Sequence, residues 1–151
     1  MADLQYVIFR ISDEEFGVSI NQVQEISAYQ KPTPVPNSPD FIKGIINLRG
    51  VVIPIVDLRT RFGITQEEEI TENTRLVIMS LESKQFGCVV DDASEVLNIE
   101  ENEIEEVPEI IRGSNKKYLS GIGKVDLRIL VLVNMELLLS EEEVHNLDEL
   151  N

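Results

Sequence analysis

Few side chains in this sequence are placed to do chemistry. Asp91 and Asp92 stand together in "CVVDDA", at the end of an apolar run. Adjacent aspartates ending a strand can hold a divalent cation through hard oxygen ligands, as in a phospho-accepting receiver domain. A receiver also needs a third aspartate on another strand, a later lysine, and helices alternating with parallel strands. The pair is followed instead by the glutamate-rich "SEVLNIEENEIEEVP", which has no such alternation. The single histidine, His145, lies in the acidic tail "SEEEVHNLDEL" without a local partner for general-base work. The single cysteine, Cys88, sits inside "FGCVV" and reads as a small buried hydrophobe. It excludes an intrachain disulfide and points to a reducing compartment. Phosphate-cradling glycine loops, nucleophile elbows and metal-spaced cysteine or histidine pairs are all missing from the sequence. The expectation is a binding module with no catalytic residue, metal or cofactor.

One further residue is conspicuous by its place. "GIINLRGVVIPIVDL", Gly44 to Leu58, is almost wholly aliphatic yet carries Arg49 beside Gly50. "NLRG" reads as a tight turn in which Gly50 permits a positive φ, so that Arg49 projects from a rigid corner. The guanidinium then has two uses: contact with a partner, or pairing with an acid of its own chain such as Glu25 or Asp57.

Composition limits the partners. With 13 basic and 28 acidic residues among 151, the formal charge of -15 has the wrong sign for nucleic acid or an anionic membrane. No apolar run approaches the roughly 20 residues of a membrane span, and the start "MADLQYVIF" lacks the pattern of a secretory signal. A cytoplasmic protein is expected. The length suits one domain, or two very small ones sharing a core.

The elements that must position these residues come in two sets. "YVIFRISDEEFGVSINQVQEI" aligns without a gap on "LVIMSLESKQFGCVVDDASEV", so that Phe16-Gly17 meets Phe86-Gly87, Ile20 meets Val90, Glu25 meets Glu95 and Ile26 meets Val96. Farther on, "GIINLRGVVIPIVDL" aligns on "GIGKVDLRILVLVNM", so that Gly44 meets Gly121, Arg49 meets Asp126, Ile55 meets Leu132 and Asp57 meets Asn134. Each copy has five β-branched or aromatic runs bounded by turn formers, which predicts five short strands. Asn21 with Gln24, and Asp92 with Glu95, predict a capped helical turn at the same corner of each copy. "NSPDFIKG" predicts another, with Ser38 as cap, Pro39 at the first position and Gly44 closing it. The prolines of "KPTPVPNSP" exclude a central strand and leave Val35 on a stiff, exposed edge. "MELLL" onward predicts helix at the C-terminus, with Val144, Leu147 and Leu150 forming an apolar stripe.

These motifs resemble the CheW family of bacterial chemotaxis coupling proteins. The resemblance runs from about Tyr6 to Leu139, and "FIKGIINLRG" followed by "PIVDLR" is its most specific part. It implies a mainly β fold of two intertwined five-stranded SH3-like barrels with short helical turns and a C-terminal helix. One CheW-like domain is expected, with sub-barrels at roughly 6–70 and 71–139 and a helical tail at 140–151. It also implies a non-enzymatic adaptor that joins the cytoplasmic tips of chemoreceptors to the regulatory domain of the histidine kinase CheA, in the cytoplasm and at membrane-associated arrays. The absence of a kinase core or receiver favours a stand-alone coupler. Carried over by position, the receptor groove includes Glu25, Arg49, Gly50, Gly87, Ala93 and Val96, with Gly44 also allowing close approach. The kinase-facing patch includes Ile20, Val23 and Val35, and Glu105 with Ile110 falls in a loop used for a weaker ring contact. A rigidly mounted Arg49 suits helix carboxylates or carbonyls. The alternatives are an adaptor for another chemosensory kinase pathway, and a phospho-acceptor using Asp91 or Asp92.

Overall fold

The computed structural model describes residues 4–82, 84–112 and 118–138. Aliphatic runs that bury both faces make its central strands, as in β6 (Arg75–Leu81) and β7 (Lys84–Val90), where five consecutive residues of β7 are buried. Alternation makes the outer ones, as in β3 (Val23–Ala28) and β4 (Ile42–Leu48). The other strands are β1 (Leu4–Ile11), β2 (Glu14–Ser19), β5 (Val51–Val56), β8 (Asp92–Ile99), β9 (Ile104–Glu105), β10 (Leu119–Val125) and β11 (Arg128–Val133). They form a six-stranded sheet in the order β8-β1-β2-β11-β10-β9 and a five-stranded sheet in the order β3-β6-β7-β5-β4.

The sequence repeat reappears as matching hairpins. Ile8 faces Gly17 and Phe9 faces Phe16 in β1–β2; Ile78 faces Gly87 and Met79 faces Phe86 in β6–β7. The hairpins β4–β5 and β10–β11 also match, down to a register shift beside Gly44 in one and Gly121 in the other. The copies do not form separate sheets. β2 pairs in parallel with β11, setting Gly17 opposite Leu132, and β7 pairs in parallel with β5, setting Gly87 opposite Ile55. Two antiparallel pairings also cross between the copies, β8 with β1 and β3 with β6. Each sheet therefore takes one hairpin from one copy and its remaining strands from the other, so the sequence halves 6–70 and 71–139 are interwoven.

The Phe-Gly pairs make this possible. A Cβ on Gly17 would lie 2.8 Å from Leu132 Cδ2, and one on Gly87 would lie 2.9 Å from Ile55 Cδ1. Each glycine leaves room for an aliphatic side chain from the other copy. The adjoining Phe16 and Phe86 point the opposite way, into a core shared by the sheets that also takes Val7, Phe9, Val18, Val56, Val77, Met79 and Cys88. Stacked rings continue it from Phe9 through Phe16 and Phe62 to Tyr118, with centroids 5.5, 4.7 and 5.4 Å apart. On its other face each sheet holds its own cluster, Ile46, Ile53, Ile55, Leu76 and Ile78 in one and Ile8, Ile99, Leu130 and Leu132 in the other.

Local elements depart from the sequence expectations in several places. The first copy has a 3₁₀ turn at Ile20–Gln22, but Ser19 caps it instead of Asn21. The second copy has no turn there: β8 starts at Asp92, because the Asp91 amide bonds to Arg10 O at 2.8 Å and carries the chain straight into the ladder. "NSPDFIKG" forms hydrogen-bonded turns and no helix, since Gly44 is already inside β4. An unanticipated helix, α1 (Leu58–Phe62), follows β5; its signals were Asp57, which accepts from Thr60 N and Thr60 Oγ1 at 3.2 and 2.8 Å, and Gly63, left-handed at φ 72°. A second short helix, α2 (Glu109–Arg112), follows β9. A 3₁₀ turn at Met135–Leu137 is capped by Asn134, which stands where the first copy has Asp57. The expected C-terminal helix, with His145, lies outside the described residues.

The proline segment runs as an edge, tied by one bridge in which Thr33 N donates to Ile45 O and Ile45 N to Thr33 O, at 2.8 and 2.9 Å. A Cβ on Gly44 would meet Thr33 O at 2.4 Å. Gly44→Ala therefore pushes this edge off β4, with an expected loss of about 1–3 kcal/mol in urea unfolding. An unchanged midpoint would show that the edge yields freely.

Candidate functional site

The corner at the β4–β5 turn is built from backbone upward. Leu48 faces Val51 across a two-residue loop, and both Arg49, at φ 52°, and Gly50, at φ 88°, are left-handed. That pair of dihedrals matches strand twist in a tight hairpin, but it costs a non-glycine residue about 1–2 kcal/mol. Asn47 offsets part of this by accepting from Gly50 N at 2.8 Å. The equivalent Asp126 of the second copy is also left-handed, at φ 57°.

From this turn the Arg49 guanidinium donates to Glu25 on β3. The two strands involved stand at opposite ends of the five-stranded sheet, so the sheet curls enough for one edge to be tied to the other. Arg49 remains 67% exposed and Glu25 27%. The hydrogen bond to Arg49 holds the Glu25 carboxyl below its ordinary value, and the same bond raises Arg49. Beside the turn Val51 and Val52 are exposed, as is Ile26 beyond Glu25.

Of the expected groove residues, the fold brings Glu25, Arg49 and Gly50 together. Val96 is exposed, but it lies on β8 of the other sheet. Ala93 is buried in the shared core, and Gly87 is buried between Ile55 and Ile78, so its role is to admit the neighbouring strand. Gly44 faces Thr33. Among the kinase-facing residues, Ile20 is exposed on its 3₁₀ turn, and Val23 is half-buried against the shared core. Val35 is half-buried where an exposed edge was expected. Ile110 is almost fully exposed on α2, and Glu105 on β9 pairs with Lys124 at 2.8 Å.

Two ion-paired nodes were not foreseen. Asp91 accepts from Ser12 N at 2.7 Å and from Arg59 Nη2 at 2.6 Å, while Arg59 Nη1 also donates to Gln66 O at 3.3 Å. These side chains are only 16% and 11% exposed, so the carboxylate fastens α1 and the β1–β2 turn to the end of β7. Arg128 at the start of β11 pairs with Glu15 on β2 and with Glu95 on β8. The repeat offered a signal for the second node, since Glu95 is the counterpart of Glu25. Among the described residues no group of three histidine, cysteine, aspartate or glutamate side chains is placed to hold a metal ion. Burial pushes the Cys88 thiol far up, which fits a core residue. No helix among the described residues is long and apolar enough to cross a membrane.

An interwoven pair of sheets, an arginine mounted on a strained turn and carboxylates spent on structural pairs define a binding module built by duplication. The chain belongs to the family of the CheW-like domain, whose family model matches residues 5–143. It is 41% identical over 144 residues to the chemotaxis protein CheW of Klebsiella aerogenes, covering 95% of this chain and 86% of that one. To the Bacillus subtilis chemotaxis protein CheW it is 37% identical over 136 residues, covering 90% and 86%. The crystal structure of the scaffolding protein TtCheW from Thermoanaerobacter tengcongensis matches with a TM-score of 0.80 at 32% identity, over 93% of this chain and 89% of that one.

Three measurements test these assignments. Arg49→Met should raise the Glu25 midpoint toward the ordinary carboxylate value, read by side-chain carbon NMR. The sign follows from a depressed folded-state carboxyl: its contribution is present above the unfolded value and lost as pH falls through the folded one. A Glu25 midpoint that does not move would break the pairing. Asp91→Ala strands the nearly buried Arg59 and should cost about 3 kcal/mol of unfolding free energy. An acid-labile label on Asp91 after incubation with a small-molecule phosphodonor and magnesium would contradict its structural role.

Proposed function

We propose that this protein is a non-enzymatic coupling scaffold that holds chemoreceptor tips and a CheA-type histidine kinase together in the cytoplasm. It has no inserted membrane segment in this reading; it reaches membrane-associated arrays through its receptor partner. The observation that carries the reading is the exposed Arg49 beside Glu25 on a rigid turn. A guanidinium held there meets a helix carboxylate or carbonyl with little loss of side-chain freedom. Family membership and the relatives named chemotaxis protein CheW support the pathway.

The receptor contact centres on Glu25, Arg49 and Gly50, with the neighbouring exposed valines adding apolar area and Val96 reaching the hairpin from the other sheet. Ala93 and Gly87 serve it indirectly, by fixing the strands. The kinase contact uses Ile20, Val23 and Val35, which lie by the shared-core corner and the proline edge. A scaffold of this kind makes no bond. It raises the effective concentration of its partners and favours one kinase state through differential affinity.

The test is the autophosphorylation rate of a CheA-type kinase with receptor-containing membranes, with and without the protein. The rate should rise only when receptors are present. Arg49→Glu should lose that gain, weakening receptor binding about tenfold or more, as expected for a charge-assisted hydrogen bond of 1.5–3 kcal/mol, while kinase binding persists. No stimulation with any cognate partners would overturn the scaffold reading.

A further inference from the structure

The tips of the two matching hairpins meet one backbone demand in different ways. In β10–β11 the left-handed position holds Asp126, at φ 57°, a residue type whose short polar side chain supports that conformation locally. Two residues before it stands Lys124, which is paired with Glu105. In β4–β5 the same position holds Arg49, at φ 52°, whose long side chain gives a left-handed backbone no such help. Arg49 and Gly50 are left-handed in succession, the form of a tight hairpin turn whose first central residue is usually Asn, Asp or Gly. The asparagine is present, but outside the turn: Asn47, the counterpart of Lys124, accepts from Gly50 N through Oδ1 at 2.8 Å. A Cβ on Gly50 would meet nothing within 4 Å, so that glycine serves its dihedral of 88° and not a close approach.

We propose that Asn47 is the positioning residue of this corner: it holds the Arg49–Gly50 turn in the left-handed form that aims the guanidinium at Glu25 and sets its direction for a helical partner. This rests on the receptor reading of the Arg49 corner. The Arg49 side chain is 67% exposed, so packing does little to fix where it points. Its direction is set instead by the backbone that carries it. The β4–β5 ladder ends at the Leu48–Val51 pair, and beyond that pair the Asn47 bond reaches the Gly50 amide. Freeing that amide lets the turn relax toward the ordinary right-handed forms, which splay the flanking strands and carry the arginine stem away from β3. Asn47 is exposed, across the ladder from Val52, and its carbonyl is engaged by the turn. It acts through Arg49.

Calorimetry with a receptor-tip helical hairpin, together with NMR of the full chain, tests this. Asn47→Ala should weaken hairpin binding about threefold to tenfold, the size of one net hydrogen bond, with kinase affinity unchanged. The Glu25 midpoint should rise toward the ordinary carboxylate value, because Arg49 no longer holds it down, and the amide-to-α-proton coupling of Arg49 should leave the left-handed range. Asn47→Asp keeps an acceptor at the same reach and should restore that coupling, while Asn47→Ser, a weaker acceptor, should fall between. In an Arg49→Met background, Asn47→Ala should bring no further loss of hairpin binding. A Glu25 midpoint or a hairpin affinity that stays put in folded Asn47→Ala overturns the proposal. So does an equal loss in the Arg49→Met background, which would make Asn47 a contact in its own right. Asn47→Ser supplies the same readouts if thermal melting shows Asn47→Ala unfolded. Failure of the wild type to bind the hairpin overturns the receptor reading alone, and the Glu25 midpoint with the Arg49 coupling then decides whether Asn47 sets the corner.

Discussion

The parallel contact between a glycine of one copy and an aliphatic side chain of the other is the constraint on which the architecture depends. Gly17 against Leu132 and Gly87 against Ile55 stitch each hairpin into the sheet completed by the opposite copy. Parallel neighbours cannot be joined by a tight turn, so such strands must be brought together by distant parts of the chain. Neither copy can therefore complete its sheet before the other is present. Close packing at the stitches follows from the missing Cβ, and the phenylalanines beside them fill the core that the two sheets share. The same residues thus specify pairing, register and the common interior.

Rigidity at the Arg49 corner is a consequence of this weave. The β4–β5 hairpin is held along one side by β7 and along the other by the Thr33 bridge, and its turn is tied to β3 through Glu25. A left-handed arginine is tolerated because both flanking strands are fixed. The result is a cation whose backbone mounting is already fixed in the folded chain. Strain and pre-organisation are here two descriptions of one turn.

Duplication also explains how charges could diverge while the fold did not. The glycines, the core phenylalanines and the capping residues Asp57 and Asn134 keep their roles in both copies. The outward corners differ: Arg49 meets one acid, Arg128 meets two, and Asp91 fastens a corner that the first copy makes with a 3₁₀ turn. Changes on such faces leave the interior packing intact, so the two copies can carry different ion pairs on one shared framework.

The sequence by itself determined the mainly β class, the twofold repeat, the tight turn at Arg49 and the family, because strand composition, turn chemistry and the spacing of Phe-Gly pairs are local properties. It also allowed Glu25 as the acid that Arg49 meets, without choosing it over Asp57. Helical turns at Asp92 and in "NSPDFIKG" were read where none forms, since capping residues there are used by ladder hydrogen bonds and by contacts from distant segments. Only the tertiary structure decided that the copies exchange strands, that Ala93 and Gly87 face inward, that Asp91 pairs with Arg59, and that Arg128 is held by two glutamates. Those outcomes depend on side chains separated by tens of residues, and pairing at that range is chosen by packing and charge in three dimensions, for which neighbouring sequence carries no signal.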